Sequence, residues 1–119
     1  MASETTNPKN ISILLVDDEK ETLDLVSEYL CGKGYALTMA VNAEQAVELV
    51  QKSGYQIAVV DLHLPGMTGS ELLKIIKKMR PHTQVIVITG YGTIRDAVEC
   101  MKLGASDFIT KPILLDHLH

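Results

Sequence analysis

Two apolar runs in this chain stop on carboxylates. Leu14-Leu15-Val16 ends on the adjacent pair Asp17 and Asp18, and Ile57-Ala58-Val59-Val60 ends on Asp61. Short apolar runs rich in β-branched residues and bounded this way read as buried strands. If both lie in one parallel sheet, the three acids share its C-terminal edge, where open α/β sheets bind their ligands. Carboxylates gathered there repel one another unless a cation neutralises them, and hard oxygen donors of this kind suit Mg²⁺. Two further chemistry-bearing residues end strand-like runs, Thr89 after Val85-Ile86-Val87-Ile88 and Lys111 after Asp107-Phe108-Ile109-Thr110. Asp17 and Asp18 can hold Mg²⁺, directly or through water. Asp61 then lies beside the cation, with one oxygen on the metal and the other able to act as a nucleophile toward phosphorus. The metal keeps that carboxylate ionised and neutralises charge building on a transferring phosphoryl group. Lys111 supplies a point cation for a phosphoryl oxygen, and the Thr89 hydroxyl can donate to another. Singly, each residue has an ordinary explanation: a polar loop, a helix cap, a strand end, a surface lysine. Their convergence from four strands onto one edge carries the reading.

The segments between these residues supply the scaffold. Residues 11–16 form the first strand. Glu19 to about Lys33 carries Leu23, Val26 and Leu30 at helical spacing and stops at Gly32 and Gly34. Residues 36–41 alternate Leu37, Met39 and Val41 with smaller or polar neighbours, a half-buried strand near a sheet edge. Asn42 caps a second helix with Gln45 as its capping-box partner, and Ala43, Ala46, Val47 and Val50 form its apolar face. The third strand is 57–61, followed by the loop Leu64-Pro65-Gly66-Met67-Thr68-Gly69 with its two strong breakers. A third helix places Leu72, Ile75, Ile76 and Met79 on one face and ends before Pro81. The continuously apolar strand 85–89 is central. After Gly90-Tyr91-Gly92, Thr93 caps a fourth helix whose apolar face is Ile94, Ala97, Val98 and Met101, with Gly104 at its end. Strand 107–110 and the start of a last helix from about Leu114 complete the chain. Five β-α units in succession predict a parallel sheet with helices on both faces. The last helix is short, as though the chain were cut from a longer protein.

Bulk properties narrow the function. A chain of 119 residues, 46% hydrophobic and 22% charged, is one globular domain. A net charge of −4 argues against direct nucleic-acid binding. No run reaches the ~18 apolar residues of a membrane span, and the polar residues 1–10 read as a disordered leader, not a signal peptide. Cys31 and Cys100 fall inside helical patterns without metal-ligand spacing, which predicts reduced, mostly buried thiols in a cytoplasmic protein.

The set Asp17-Asp18, Asp61, Thr89 and Lys111-Pro112 resembles the receiver domain of bacterial two-component response regulators. Supporting segments match as well: Leu64-Pro65-Gly66-Met67-x-Gly69, Gly104-Ala105, and Asp107-Phe108-Ile109-x-Lys111-Pro112. The resemblance implies a flavodoxin-like, doubly wound five-stranded parallel sheet of order 2-1-3-4-5, with residues 11–119 as the receiver. It implies that Asp61 accepts a phosphoryl group from the phosphohistidine of a sensor histidine kinase. Asp17, Asp18, Asp61 and the backbone carbonyl of His63 would ligate Mg²⁺, while Thr89 and Lys111 would bind the phosphoryl oxygens. Lys111-Pro112 is the family's cis-peptide position. Thr89 and Phe108 would form the switch: Thr89 moves toward the phosphate, the aromatic follows inward, and the surface of the fourth helix and fifth strand changes. Such a domain is a phosphoacceptor switch rather than an enzyme, with only self-directed phosphotransfer and autodephosphorylation. The segment Thr89-Gly90-Tyr91-Gly92-Thr93-Ile94, with Ala97-Val98-Glu99 and Met101-Lys102, is most similar to receivers of sigma-54-dependent, NtrC-like transcriptional activators. This implies a C-terminal sigma-54-type ATPase output domain, and the fourth-helix, fifth-strand face is a candidate surface for a homodimer.

Three other readings compete. An Asp-nucleophile phosphohydrolase would want an acid two residues after the nucleophile, where this chain has His63. A flavodoxin-type FMN carrier would want a hydroxyl-rich phosphate loop where this chain has Asp17-Asp18-Glu19. A phosphate-independent interaction module has no use for the complete five-residue set.

Overall fold

The computed structural model describes residues 11–64, 66–90 and 94–110. Strands β1 (Ser12–Val16), β2 (Ala36–Ala40) and β3 (Ile57–Asp61) alternate with helices α1 (Lys20–Gly32) and α2 (Ala43–Lys52). A short hairpin, β4 (His63–Leu64) and β5 (Met67–Thr68), precedes α3 (Gly69–Met79), β6 (Gln84–Thr89), α4 (Ile94–Lys102) and β7 (Asp107–Thr110). The main sheet is five-stranded and parallel in the order β2-β1-β3-β6-β7. Setting the hairpin aside, that is the expected order 2-1-3-4-5. The leader, the Thr93 cap, Lys111-Pro112 and the last helix lie outside the described residues.

Strand periodicity divides the core in two. Leu14, Val16, Ala58, Val60, Val85 and Val87 face one side and pack with Ala46 and Val50 of α2, Leu72, Leu73 and Ile76 of α3, and Cys100 of α4. Ile13, Leu15, Val59, Ile88 and Ile109 face the other side, where Leu23, Val26 and Leu30 of α1 cover them. Burial of residues 13–16 and 58–60 on both faces explains why those strands read as continuous apolar runs.

Four local expectations change. The loop after the third strand contains the β4–β5 hairpin, pairing His63 with Thr68 and Leu64 with Met67. Gly66 turns it at φ 83°, a backbone conformation that side chains with a Cβ avoid. Asn42 accepts from the Gln45 amide at 2.8 Å, but the Gln45 side chain accepts from Val41, one residue before the cap, at 3.0 Å. The apolar stripe of α4 faces outward: Ile94 is 86% exposed and Val98 and Met101 are 48% exposed, while Cys100 turns to the core. A nine-residue helix over the short final strand anchors itself through Cys100 and Leu103, on its opposite side, and leaves the stripe uncovered. Cys31 is exposed, not buried, because it falls on the solvent side of α1; Cys100 is buried and burial raises its thiol pKa.

A reciprocal capping box locks the start of α3 to the hairpin. The Glu71 amide donates to Thr68 Oγ1 at 3.2 Å, and the Thr68 amide donates to Glu71 Oε1 at 3.2 Å. The Thr68 amide, followed by its hydroxyl, holds the Glu71 carboxyl below its ordinary value of 4.5. Because the folded pKa is the lower one, this stabilisation is complete above the unfolded pKa and fades as pH falls through the folded value. Glu71→Gln should therefore lower the melting temperature at neutral pH, and the two proteins should converge as the pH falls through the folded pKa. Thermal melts across that range test this; a gap that does not change with pH would contradict it.

Candidate functional site

Register brings the predicted residues to one edge. Val16 pairs with Val60 across β1 and β3, so Asp17 and Asp61, each one residue further along, stand level with one another. Asp61 in turn pairs with Ile88, which sets Thr89 one residue beyond it on β6. Thr89 pairs with Thr110 on β7, directly before Lys111. Asp17 and Thr89 are fully buried and Asp61 is 4% exposed.

The two aspartates are held by the same device. Asp17 Oδ1 accepts from the amide of Glu19 at 2.8 Å, and Asp61 Oδ1 accepts from the amide of His63 at 3.0 Å. Each is a side-chain-to-backbone turn of the Asx kind, which fixes the carboxylate and bends the chain away from the strand in one step. The strand ends are themselves tied in, with the Asp17 amide donating to Ala40 O at 3.1 Å and the Leu62 amide to Ile88 O at 2.8 Å.

Asp17, Glu19 and Asp61 each bring an oxygen to the same point, all three within 4.8 Å of one another. An all-oxygen, carboxylate-rich donor set of this size fits a hard divalent cation such as Mg²⁺ or Ca²⁺. Asp18 is exposed and is not one of the three. His63 is exposed at the start of the hairpin, and Phe108 is half-buried against the core cluster that contains Leu62, Val87 and Cys100. Lys111 and Tyr91 lie outside the described residues. A groove of ≈ 610 Å³ between α2 and α3, lined by Glu44, Val47, Met67 and Ile75 among others, contains none of the predicted site residues.

Two contributors were not singled out by residue type. Glu19 was legible only as the third acid of the run Asp17-Asp18-Glu19, and Gly69 only as a loop glycine within the motif Leu64-Pro65-Gly66-Met67-x-Gly69. The Gly69 amide donates to Leu62 O at 2.7 Å. A Cβ at this position would lie 2.5 Å from the Leu62 Cα and 2.6 Å from the Asp61 carbonyl oxygen. Helix α3 thus begins in direct contact with the peptide that carries Asp61.

Fold and site together define the class, and the chain belongs to the response regulator receiver domain family, whose pattern matches residues 13–119. It is 36% identical over 110 residues to a putative NtrX-like response regulator from Rickettsia bellii, covering 91% of this chain and 23% of the relative. It is 35% identical over 109 residues to the transcriptional regulatory protein ZraR from Escherichia coli, covering 92% of this chain and 25% of that protein. The chain therefore spans about a quarter of the length of these curated relatives. Among solved structures, it superposes with a TM-score of 0.86 and 28% identity on a Burkholderia pseudomallei response regulator. That match covers 92% of this chain and 64% of the other, which was crystallised with a phosphorylated aspartic acid, a calcium ion and citrate. The resemblance drawn from the sequence motifs, including its leaning toward NtrC-like regulators, is borne out.

The backbone contact at Gly69 yields a prediction. Gly69→Ala should cost about 1–3 kcal/mol, because a methyl group cannot enter against two backbone atoms without shifting one of them. Urea unfolding would measure this; a midpoint equal to that of the wild type would show that the contact is not tight.

Proposed function

We propose that this domain accepts a phosphoryl group on Asp61 from the phosphohistidine of a sensor histidine kinase, in a reaction that requires Mg²⁺. The observation that supports this most is the level placement of two almost fully buried aspartates, Asp17 and Asp61, at adjacent strand ends. Asp17, Asp61 and the His63 carbonyl would hold the cation, with Asp18 completing the set from the exposed side. A cation held there would supply neutralising charge for the phosphoryl oxygens.

The chain's own residues do the rest. The His63 amide holds Asp61 Oδ1, so attack on phosphorus is assigned to Oδ2. As that O–P bond forms, the P–N bond of the donor breaks and its electron pair returns to the imidazole. Thr89, buried at the end of β6, and Lys111 would each take one of the phosphoryl oxygens. Phosphorylation places about −2 of charge and three acceptors where a carboxylate had −1. Movement of Thr89 toward those acceptors would open space for Phe108 and alter the α4–β7 surface. The exposed stripe Ile94, Val98 and Met101 lies on that surface, which suits it to an output domain or to a second copy of the chain. In the whole protein, the output domain would be a sigma-54-type ATPase controlling transcription in the cytoplasm. The domain would act as a switch, turning over only its own phosphoryl group and binding no nucleic acid itself. Among the described residues, no helix is long and apolar enough to cross a membrane.

Acetyl phosphate or phosphoramidate can replace the kinase in a direct test. Intact mass after incubation with Mg²⁺ should show one phosphoryl adduct, lost with chelator and lost in Asp61→Ala. Turnover of the reagent without an adduct would favour a phosphohydrolase, and no reaction at all would favour a phosphate-independent interaction module.

A further inference from the structure

We propose that the groove between α2 and α3 is a docking site for helix α4 of a second copy of this chain, a head-to-tail contact separate from the phosphoryl site. The groove, of ≈ 610 Å³, has an apolar floor that includes Ala43, Val47, Met67 and Ile75, the last three only half-buried. Glu44 and Glu48, one helical turn apart on α2, stand at its rim and are the only charged residues described in its lining. Both side chains are exposed, and among the described residues neither carboxylate accepts a hydrogen bond or joins an ion pair. An apolar trough with an uncompensated acidic edge suits an amphipathic helix that carries cations beside its apolar face. Met67, unbranched and flexible, lets the floor adapt to the side chains that enter.

The same chain displays such a helix. Ile94, Val98 and Met101 recur at the spacing with which helices enter grooves, and all three are exposed. Arg95 and Lys102, two turns apart, each follow a stripe residue by one position and so stand along one side of the stripe. They border a shallow depression with Val98 and Glu99, and Asp96 and Glu99 fall further round the helix from the stripe. Arg95 and Lys102 are exposed and, among the described residues, have no ion-pair partner. Docking therefore sets an apolar stripe on an apolar floor and two cations beside two carboxylates. One copy cannot fill its own groove, because α4 packs over the edge strand β7 while the groove opens between α2 and α3. The contact is heterologous, helix to groove, and repeats into a ring or an open chain. A helix of nine residues is short. The contact accordingly belongs to the weak class that buries less than about 1,200 Å² in total.

Charge reversal on each side tests the pairing. Sedimentation velocity from micromolar to millimolar protein should show reversible self-association that strengthens as salt is lowered. Glu44→Lys with Glu48→Lys makes the groove basic, and Arg95→Glu with Lys102→Glu makes the helix acidic. Each double variant alone should associate at least about tenfold more weakly than the wild type. Mixed in equal amounts, the two should associate again, because the basic groove of one receives the acidic helix of the other and the remaining pair keeps its native charges. All four positions are exposed, and circular dichroism melts establish that each variant is folded. Glu44 lies in the first turn of α2, where an acid favours the helix; if the double variant does not fold, Glu48→Lys alone takes its place. Wild-type association in the groove variant would overturn the proposal in favour of a symmetric contact between two α4 helices. Loss in both variants without recovery on mixing would also overturn it, as would a wild-type protein that stays monomeric at every concentration. None of these results bears on phosphoryl transfer to Asp61, so the two proposals fail separately.

Discussion

Three carboxylates within 4.8 Å of one another, two of them almost wholly out of water, are the arrangement that the rest of this domain must support. At that spacing each pair of ionised groups repels by about 1 kcal/mol even in the dielectric of bulk water, and by more where water is excluded. The group is held by covalent continuity with buried strands whose apolar contacts lie several ångströms away, and by the matched turns that pin Asp17 and Asp61 to the amides two residues ahead. Such a corner is a sink for positive charge, and it is also hostile to phosphate until a cation enters. Both properties follow from one placement.

Rigidity around Asp61 comes from the segment that follows it. The peptide after the aspartate is tied to β6 through the Leu62 amide and to α3 through the Leu62 carbonyl. The hairpin then folds back, and the Thr68–Glu71 box starts α3 against it. These contacts form a closed path from the central strand through the hairpin into the third helix and back to the strand. A side chain at position 69 would break that path at its tightest point, which explains why a residue without a Cβ begins the helix. On the other side of the site the chain is less constrained. There α4 is anchored by few buried side chains and turns an apolar stripe to solvent.

Most of the architecture was legible because parallel strands buried on both faces leave an unmistakable pattern. The runs ending at Asp17, Asp61 and Thr89 announced both the strands and the edge on which they finish. What escaped depended on geometry that residue type does not encode. Gly69 reads as a breaker, yet its role is a close approach to backbone that is adjacent in space. Glu19 reads as the third acid of a polar run, and it is exposed like its neighbour Asp18; only the turn at Asp17 decides which of the two brings an oxygen near the buried aspartates. The stripe on α4 has the period of a core-facing helix, and periodicity does not distinguish a stripe that faces the core from one that faces solvent. The two residues of the hairpin strands on either side of its turn are too few to register as strands at all.

The central claim is that Asp61, and no other carboxylate of the cluster, carries the phosphoryl group. Borohydride reduction of the acetyl-phosphate-treated protein converts an aspartyl phosphate to homoserine, and peptide mass spectrometry then locates it. The arrangement described here predicts a single reduced residue, at position 61, and none when Mg²⁺ is withheld. Homoserine at position 17 or 18, or at 61 with equal yield in chelator, would contradict it.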